Sequence, residues 1–371
     1  VQIFCSMLDS MKKLLGILVL GLLFTSSVFA KKAEYPKLPK DVAWGDKYFK
    51  SLVSKDYKDY GMQVVDKKDG HPVRLGNQSI RFEVRPGDCS NDTNPDGWND
   101  CEHDSERHEL SGQRTPKGTY WYAWSIYFSE DHFNGYPTFV TLGQFHQHGK
   151  YSYPPWMFTN YKGGYWFRQR ISNTSQDVSK TLKIYSLLSK KEVLGKWNDV
   201  LVNVKWSHKK DGFIKVWING KILYDYKGRT KAKGTKSYFK FGIYRSEMKA
   251  DWLYSEFNKD KLKGLPTQII YYDEVRRIKG ESCKKLKLED LGYSCEELEG
   301  QKISKIDKGE EASTRYIEYI ALIKNKTDDS VLIKVRAASK ELAIEEAMKK
   351  CTEKHEEGCY VHYSNQVGFG Q

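Results

Sequence analysis

Three short runs of this chain carry side chains able to move protons and hold negative charge. In a half-buried strand residues i and i+2 face the same way, so polar groups repeated at that spacing mark a face turned to water or to a ligand. The run 105–111 sets Arg107, Glu109 and Ser111 on one face and Glu106, His108 and Leu110 on the other. The run 143–148 aligns Gln144, His146 and His148, with Phe145 opposite. In 237–245, Tyr238, Lys240, Gly242 and Tyr244 alternate with Phe239, Phe241 and Ile243, so one face is wholly apolar. Brought onto one concave sheet, these runs would line a groove with a guanidinium, an amide, an imidazole, an ammonium and a phenol.

That set suits an elimination. The C5 proton of a uronate is weakly acidic, because its removal puts a second negative charge beside the carboxylate. A catalyst must neutralise the carboxylate, take the proton and protonate the departing O4. Arg107 and Gln144 are candidate donors to the carboxylate, His146 a candidate base, and Tyr244 a candidate acid or combined acid and base.

Arg-x-Glu-Leu at 107–110, Gln-x-His at 144–146 and Tyr-Phe-Lys-x-Gly-x-Tyr at 238–244 resemble, in that order, the three motifs of jelly-roll alginate lyases. The last motif with its trailing Arg245, and the stretches 195–199 and 217–220 with Trp197 and Trp217, are similar to heparin lyase I and glucuronan lyase. The resemblance covers residues 45–280. It implies a polysaccharide lyase that cleaves glucuronan, alginate or a heparin-like chain by β-elimination and leaves an unsaturated uronate. It implies Arg107 and Gln144 at the carboxylate, His146 as base or neutraliser and Tyr244 as acid. Lys240, Glu109, Arg245 and His148 would contact substrate, with no cofactor required. Ser111 stands where alginate lyases usually carry a second arginine, which weighs against alginate.

Two other functions compete. A glycoside hydrolase needs two carboxyl groups across the scissile bond; Glu106 and Glu109 are the candidates within a motif, and they fall on opposite strand faces. A non-catalytic glycan-binding module would keep the basic and aromatic groups and need no acid or base. The acidic cluster Asp100, Glu102, Asp104 and Glu106, with Asp88, Asn91, Asp92, Asn94, Asp96 and Asn99 as further oxygen ligands, could hold calcium, but its spacing matches no recognised motif and a solvated loop stapled by Cys89 and Cys101 explains it better. Tyr151, Tyr153, Trp156, Tyr161, Tyr165 and Trp166 suit sugar stacking or core packing equally.

The elements that must position these groups are strands. Between about residue 60 and residue 280, short Tyr-, Trp-, Phe-, Val- and Ile-rich runs such as 79–84, 119–128, 165–170, 199–206 and 213–218 are separated by turn residues. Asn219-Gly220 between two such runs reads as a tight hairpin. The pattern is all-β, a β-jelly roll or concanavalin-like two-sheet sandwich with one large core. Composition shifts at 281–310, read as a linker with a disulfide loop, and 311–371 reads as a small α+β domain with strands near 316–323, 331–335 and 359–363 and a helix near 339–354.

Met11-Lys12-Lys13 and the apolar run 14–29, closing on Ala30, read as a signal peptide over 1–30, with the mature domain spanning 31–280. The six later cysteines fall as local pairs, Cys89 with Cys101, Cys283 with Cys295 and Cys351 with Cys359. In an oxidising compartment each pair would close a short loop, and no spacing matches structural zinc. The formal charge of +13 falls to about +12 without the leader. Export turns such a charge from nucleic acid toward acidic polysaccharide or an anionic surface, with no membrane association expected after the leader is cleaved. A secreted or periplasmic monomer is expected.

Overall fold

The structure, a computed structural model, describes residues 43–44, 49–50, 57–91, 317–325, 332–337, 340–353 and 359–369. It also describes 99–303 apart from 116, 134, 136–138, 150–152, 177, 179–180 and 247–264. Residues 1–30, read above as a signal peptide, lie outside the described residues.

In chain order the first strands are β1 (Ala43–Trp44), β2 (Phe49–Lys50), β3 (Met62–Asp66), β4 (Gln78–Val84), β5 (Glu106–Ser111) and β6 (Gly118–Tyr127). There follow β7 (Val140–His148), β8 (Trp156–Tyr161), β9 (Gly164–Gln169), β10 (Lys183–Leu188), β11 (Trp197–Trp206) and β12 (Phe213–Ile218). Then come β13 (Lys221–Lys227), β14 (Lys236–Arg245), β15 (Gln268–Lys279), β16 (Ile317–Asn325), β17 (Leu332–Ala337) and β18 (Cys359–Phe369). One sheet has the order β13-β12-β11-β6-β15-β4-β3, with β1 pairing β15, and a second has the order β10-β9-β8-β7-β14-β5-β2. Apart from the parallel β1–β15 pair, all neighbours in both sheets are antiparallel. This is the all-β jelly-roll sandwich expected from the strand pattern.

The two sheets meet through aromatic residues of one parity. Tyr122 of β6 packs edge-on against Phe145 of β7 at 4.9 Å between centroids, and Trp124 packs on Phe239 of β14 at 4.7 Å. Phe82 of β4 meets Phe241 at 5.7 Å. Phe239, Phe241 and Ile243 are all buried here, so alternate residues of β14 point away from the core. Burial of aromatic side chains supplies much of the driving force for the sandwich.

The opposite parity of β6 is also covered. Trp121 and Ala123, with Trp217, pack beneath Leu286, Leu288, Leu291 and Leu298 from residues 283–301. That segment, read from composition as part of a linker, is a cap on the first sheet. Its leucines recur in two short 3₁₀ turns and the Cys295–Gly300 helix, held by the Cys283–Cys295 disulfide with Cα atoms 5.7 Å apart. The disulfides Cys89–Cys101 and Cys351–Cys359 are also formed, at Cα separations of 5.1 and 6.1 Å. The strands β17-β16-β18 form a third sheet, on which the Lys340–Thr352 helix packs through Ala347 and Cys351 against Ile323. Among the described residues no helix is long and apolar enough to cross a membrane.

One turn and one strand irregularity depend on backbone that side chains disfavour. Asn219 and Gly220 have φ of 50° and 79°, the pair of positive values that a two-residue hairpin needs. Gly242 has φ of 132° at an irregularity where β14 slips against β7 between Phe241 and Tyr244. A Cβ there would stand 2.3 Å from the His108 carbonyl oxygen and 2.8 Å from the Glu109 Cα. Gly242→Ala is therefore expected to cost at least about 2 kcal/mol, read as a fall in denaturant midpoint, from strained φ and backbone overlap together. An unchanged midpoint would show that the bulge relaxes freely.

Candidate active site

The residues of β14, β7 and β5 that face away from the core assemble by register. Lys240 stands opposite Gln144 on one side and Ser111 on the other, Gly242 opposite Glu109, Tyr244 opposite Arg107, and Tyr238 opposite His146. At the centre is Glu109, with no exposed surface. Its Oε2 lies 2.8 Å from Lys240 Nζ and 3.3 Å from Arg107 Nη1, and its Oε1 accepts from Gln144 Nε2 at 2.7 Å. Burial raises the Glu109 pKa, but Lys240, Arg107 and these hydrogen bonds outweigh it and hold the carboxyl below the ordinary glutamate value. Burial, with Arg107 nearby, pulls the Lys240 ammonium below the usual lysine value despite Glu109.

Arg107 carries a second carboxylate. Its Nε donates to Asp100 Oδ2 at 2.7 Å and its Nη2 donates to Asp100 Oδ1. Although burial opposes the charge, Asp100 keeps the guanidinium firmly protonated. These bonds and the one to Glu109 use three of five N–H groups, so one hydrogen on each Nη is left for a ligand. The guanidinium carbon lies 4.5 Å from the centroid of the Tyr244 ring, and the Tyr244 hydroxyl lies 3.1 Å from Ser105 Oγ. Burial raises the Tyr244 pKa above its usual 10.0 although Arg107 opposes the shift, so the phenol keeps its proton.

His146 is oriented by two oxygens. Nδ1 lies 2.8 Å from the Gln147 carbonyl and 3.0 Å from the Tyr238 hydroxyl. A carbonyl only accepts, so Nδ1 carries the hydrogen and Nε2 is left with its lone pair. Burial, followed by the positive field of Lys240, holds the imidazole well below 6.5 and therefore neutral.

Arg107, Gln144, His146, Lys240 and Tyr244 thus share one face, and Glu109 lies beneath them as the anion that orders three of their side chains. Arg245 does not join them. Next to Tyr244 it must take the opposite parity; it is fully buried, and its Nη2 donates to Glu106 Oε2 while Nη1 donates to Pro266 O at 2.6 Å. Substrate contact by Arg245 is therefore corrected to a structural ion pair. His148 sits at the end of β7, half-buried and opposite Lys236. His108 is inside, 3.3 Å from Asp88 and edge-on to Tyr57.

The acidic loop is largely committed elsewhere. Asp100 is bound to Arg107, Glu106 to Arg245 and the Gly87 N–H, and Asp88 accepts from Tyr60 and the Arg85 N–H. These engagements occupy Asp100 and Glu106 of the acidic cluster and Asp88 beside it; Asp92, Asn94 and Asp96 lie outside the described residues. Among the described residues the one convergence of metal-ligating side chains is Cys283, Cys295 and Glu299, where the cysteines are already joined and Glu299 accepts from the Cys283 N–H. Of the aromatics, Trp156 and Tyr165 are core, whereas Tyr161 and Trp166 pack with Phe139 and Ile184 on the outer face. Tyr153 is 47% exposed, and Tyr151 lies outside the described residues.

Sequence reasoning left Asp100 and Tyr238 without a role at this face. Tyr238 shared the parity of Lys240 and Tyr244, a signal that pointed to it. Nothing in the spacing tied Asp100 to Arg107.

A comparison with curated proteins returned no match. The fold is similar to an endo-β-1,4-glucuronan lyase from the fungus Trichoderma reesei at 17% identity and a TM-score of 0.42, covering 63% of this chain and 95% of that one. It is similar to the family 7 alginate lyase AlgAT5 at 15% identity and 0.42, covering 66% and 100%. For the alginate lyase PA1167 of Pseudomonas aeruginosa the values are 14% and 0.39, covering 61% and 89%. The family model described as polysaccharide lyase matches residues 56–276, more than half of the chain and every residue of the face built above, and the chain belongs to that family.

Proposed function

We propose that this lyase cleaves a uronate-containing acidic polysaccharide by β-elimination on the outer face of the β5–β14–β7 strands. The observation that carries the reading is a neutral imidazole with an available Nε2 lone pair, sharing one face with a protonated phenol and with amide and guanidinium donors. In the proposed step the remaining N–H groups of Arg107 and the second N–H of Gln144 bind the uronate carboxylate, where charge develops. His146 Nε2 takes the C5 proton, the C4–O bond breaks as the C4–C5 double bond forms, and Tyr244 gives its proton to the leaving oxygen. Lys240 adds positive charge beside Gln144. The three disulfides favour action outside the reducing cytosol, in a secreted or periplasmic setting.

A hydrolase reading loses its acid. Glu109 is held ionised by its cations, and Glu106, although burial pushes its carboxyl above the ordinary glutamate value, faces the other way on Arg245. A hydrolase needs one carboxyl that stays protonated to donate to the leaving oxygen.

The test is incubation with polyglucuronate, alginate and heparin while following ultraviolet absorbance of the unsaturated product. We expect absorbance to rise on at least one uronan. The base must be neutral, and the His146 pKa lies well below 6.5; the acid must be protonated, and the Tyr244 pKa lies above 10.0. The rate should climb with pH through the depressed histidine value, stay flat across neutrality and decline only in strong alkali. New reducing ends without absorbance, or a rate midpoint at an ordinary histidine pKa, would overturn the assignment.

A further inference from the structure

A registered row crosses the face from the candidate site to the far side of the sheet. It runs Ser111, Lys240, Gln144, Met157, Arg168 and Ile184 over β5, β14, β7, β8, β9 and β10. Neighbouring strands are about 4.8 Å apart, so Arg168 stands about 10 Å from Gln144, on the scale of a short stretch of sugar chain. Arg170, two residues on, takes the same face just past β9, where its N–H donates to the Pro155 carbonyl at 2.8 Å. Both guanidinium groups are half-buried and lie against rings, Arg168 at 4.1 Å from the Phe139 centroid and Arg170 at 5.3 Å from that of Tyr153. Arg168 Nη2 donates to Thr181 Oγ1 at 2.6 Å, and Arg170 Nη1 lies 3.8 Å from Met157 Sδ. Stacking and these contacts fix the plane of each fork, which presents oxyanion-binding geometry at low entropic cost.

We propose that Arg168 and Arg170 form a second anion-binding subsite, which holds the carboxylate or sulfate of a sugar neighbouring the one being cleaved and so sets the register of an extended polyanion. The proposal rests on the uronate reading for its choice of ligand. Arg170 belongs electrostatically to the same face, since its charge is among those that keep His146 neutral. A chain bearing anions on successive sugars would meet Arg107 and Gln144 at one point and the two arginines at another. Placement two strands away makes this a subsite for length and charge pattern rather than for chemistry.

The test is Arg168→Gln with Arg170→Gln, assayed on polyglucuronate and on a sulfated uronan so that the carboxylate and sulfate arms separate. KM on the preferred polymer should rise about tenfold or more, a factor worth about 1.4 kcal/mol, while kcat falls far less. The dependence of KM on salt should flatten, because the lost contacts are ionic. The effect should shrink on the shortest oligosaccharide that is cleaved. Arg168→Lys with Arg170→Lys, which keeps charge, should recover part of the loss, and thermal unfolding of each variant reports whether the fold survives. An unchanged KM and salt slope on both polymers would overturn the subsite. Failure of the elimination reading would instead show as no absorbance from the parent protein. In that case calorimetric binding of the polymers to the Tyr244→Phe protein, with and without the two arginines, still decides: equal affinities refute the subsite.

Discussion

Replacing Tyr244 by Phe should lower kcat by about 1000-fold, within the range that a positioned general acid contributes, and leave polymer affinity nearly unchanged. The substitution is close to a pure deletion of the proton. The phenyl ring keeps its place over the Arg107 guanidinium, at 4.5 Å. Ser105, the hydroxyl's partner at 3.1 Å, still donates to the His103 carbonyl at 3.0 Å and is not stranded. Stability should therefore change by no more than about 1 kcal/mol, the net worth of one hydrogen bond. The loss of about 4 kcal/mol in transition-state stabilisation would then belong to chemistry. Tyr238→Phe is the necessary comparison, since Tyr238 is the second phenol on this face and touches His146. It should cost less, because it orients Nδ1 without meeting the leaving oxygen. If Tyr244→Phe retained a tenth of the parent kcat, or Tyr238→Phe were the more damaging, the assignment of the acid would be wrong.

Alternation along single strands made this face legible, and pairing between strands made the rest illegible. Phe239, Phe241 and Ile243 read as core and are core, which forces Tyr238, Lys240 and Tyr244 outward. The same rule applied one residue further would have placed Arg245 inside; the trailing position in a motif argued for substrate, whereas parity argues for Glu106. Asp100 could not be paired with Arg107 from spacing, because the segment joining them is a turn over 101–104 that leads into β5 and has no period. The 283–301 cap looked like a linker because its leucines are separated by lysine and glutamate. Those apolar groups pack on Trp121 and Trp217 on the face of the sheet turned away from the sandwich core, a contact that no local pattern encodes.

Glu109 carries the largest expected effect on the fold of this face. Glu109→Gln removes the anion shared by Lys240, Arg107 and Gln144 while nearly conserving shape. Arg107 would keep Asp100, but Lys240, only 5% exposed, would lose the carboxylate that compensates its charge. Removing one member of a buried ion pair costs more than the pair is worth, because the survivor stays desolvated; the expected loss is about 3 kcal/mol, or roughly 10 °C in Tm. The acid dependence should change as well. The folded-state pKa of Glu109 is depressed, so its contribution is complete above the unfolded value and is lost as pH falls through the folded one; that decline should be missing from the variant. Adding Lys240→Met discriminates between a structural and a catalytic account. With the stranded ammonium gone, stability should return toward that of the parent, since an apolar replacement of a buried pair is often neutral. Activity should not return, because the single carbonyl oxygen of a glutamine at 109 cannot accept from both Gln144 and Arg107 and the face has lost a cation. A Glu109→Gln protein as stable as the parent across the acid range would mean that the carboxylate does not organise the site.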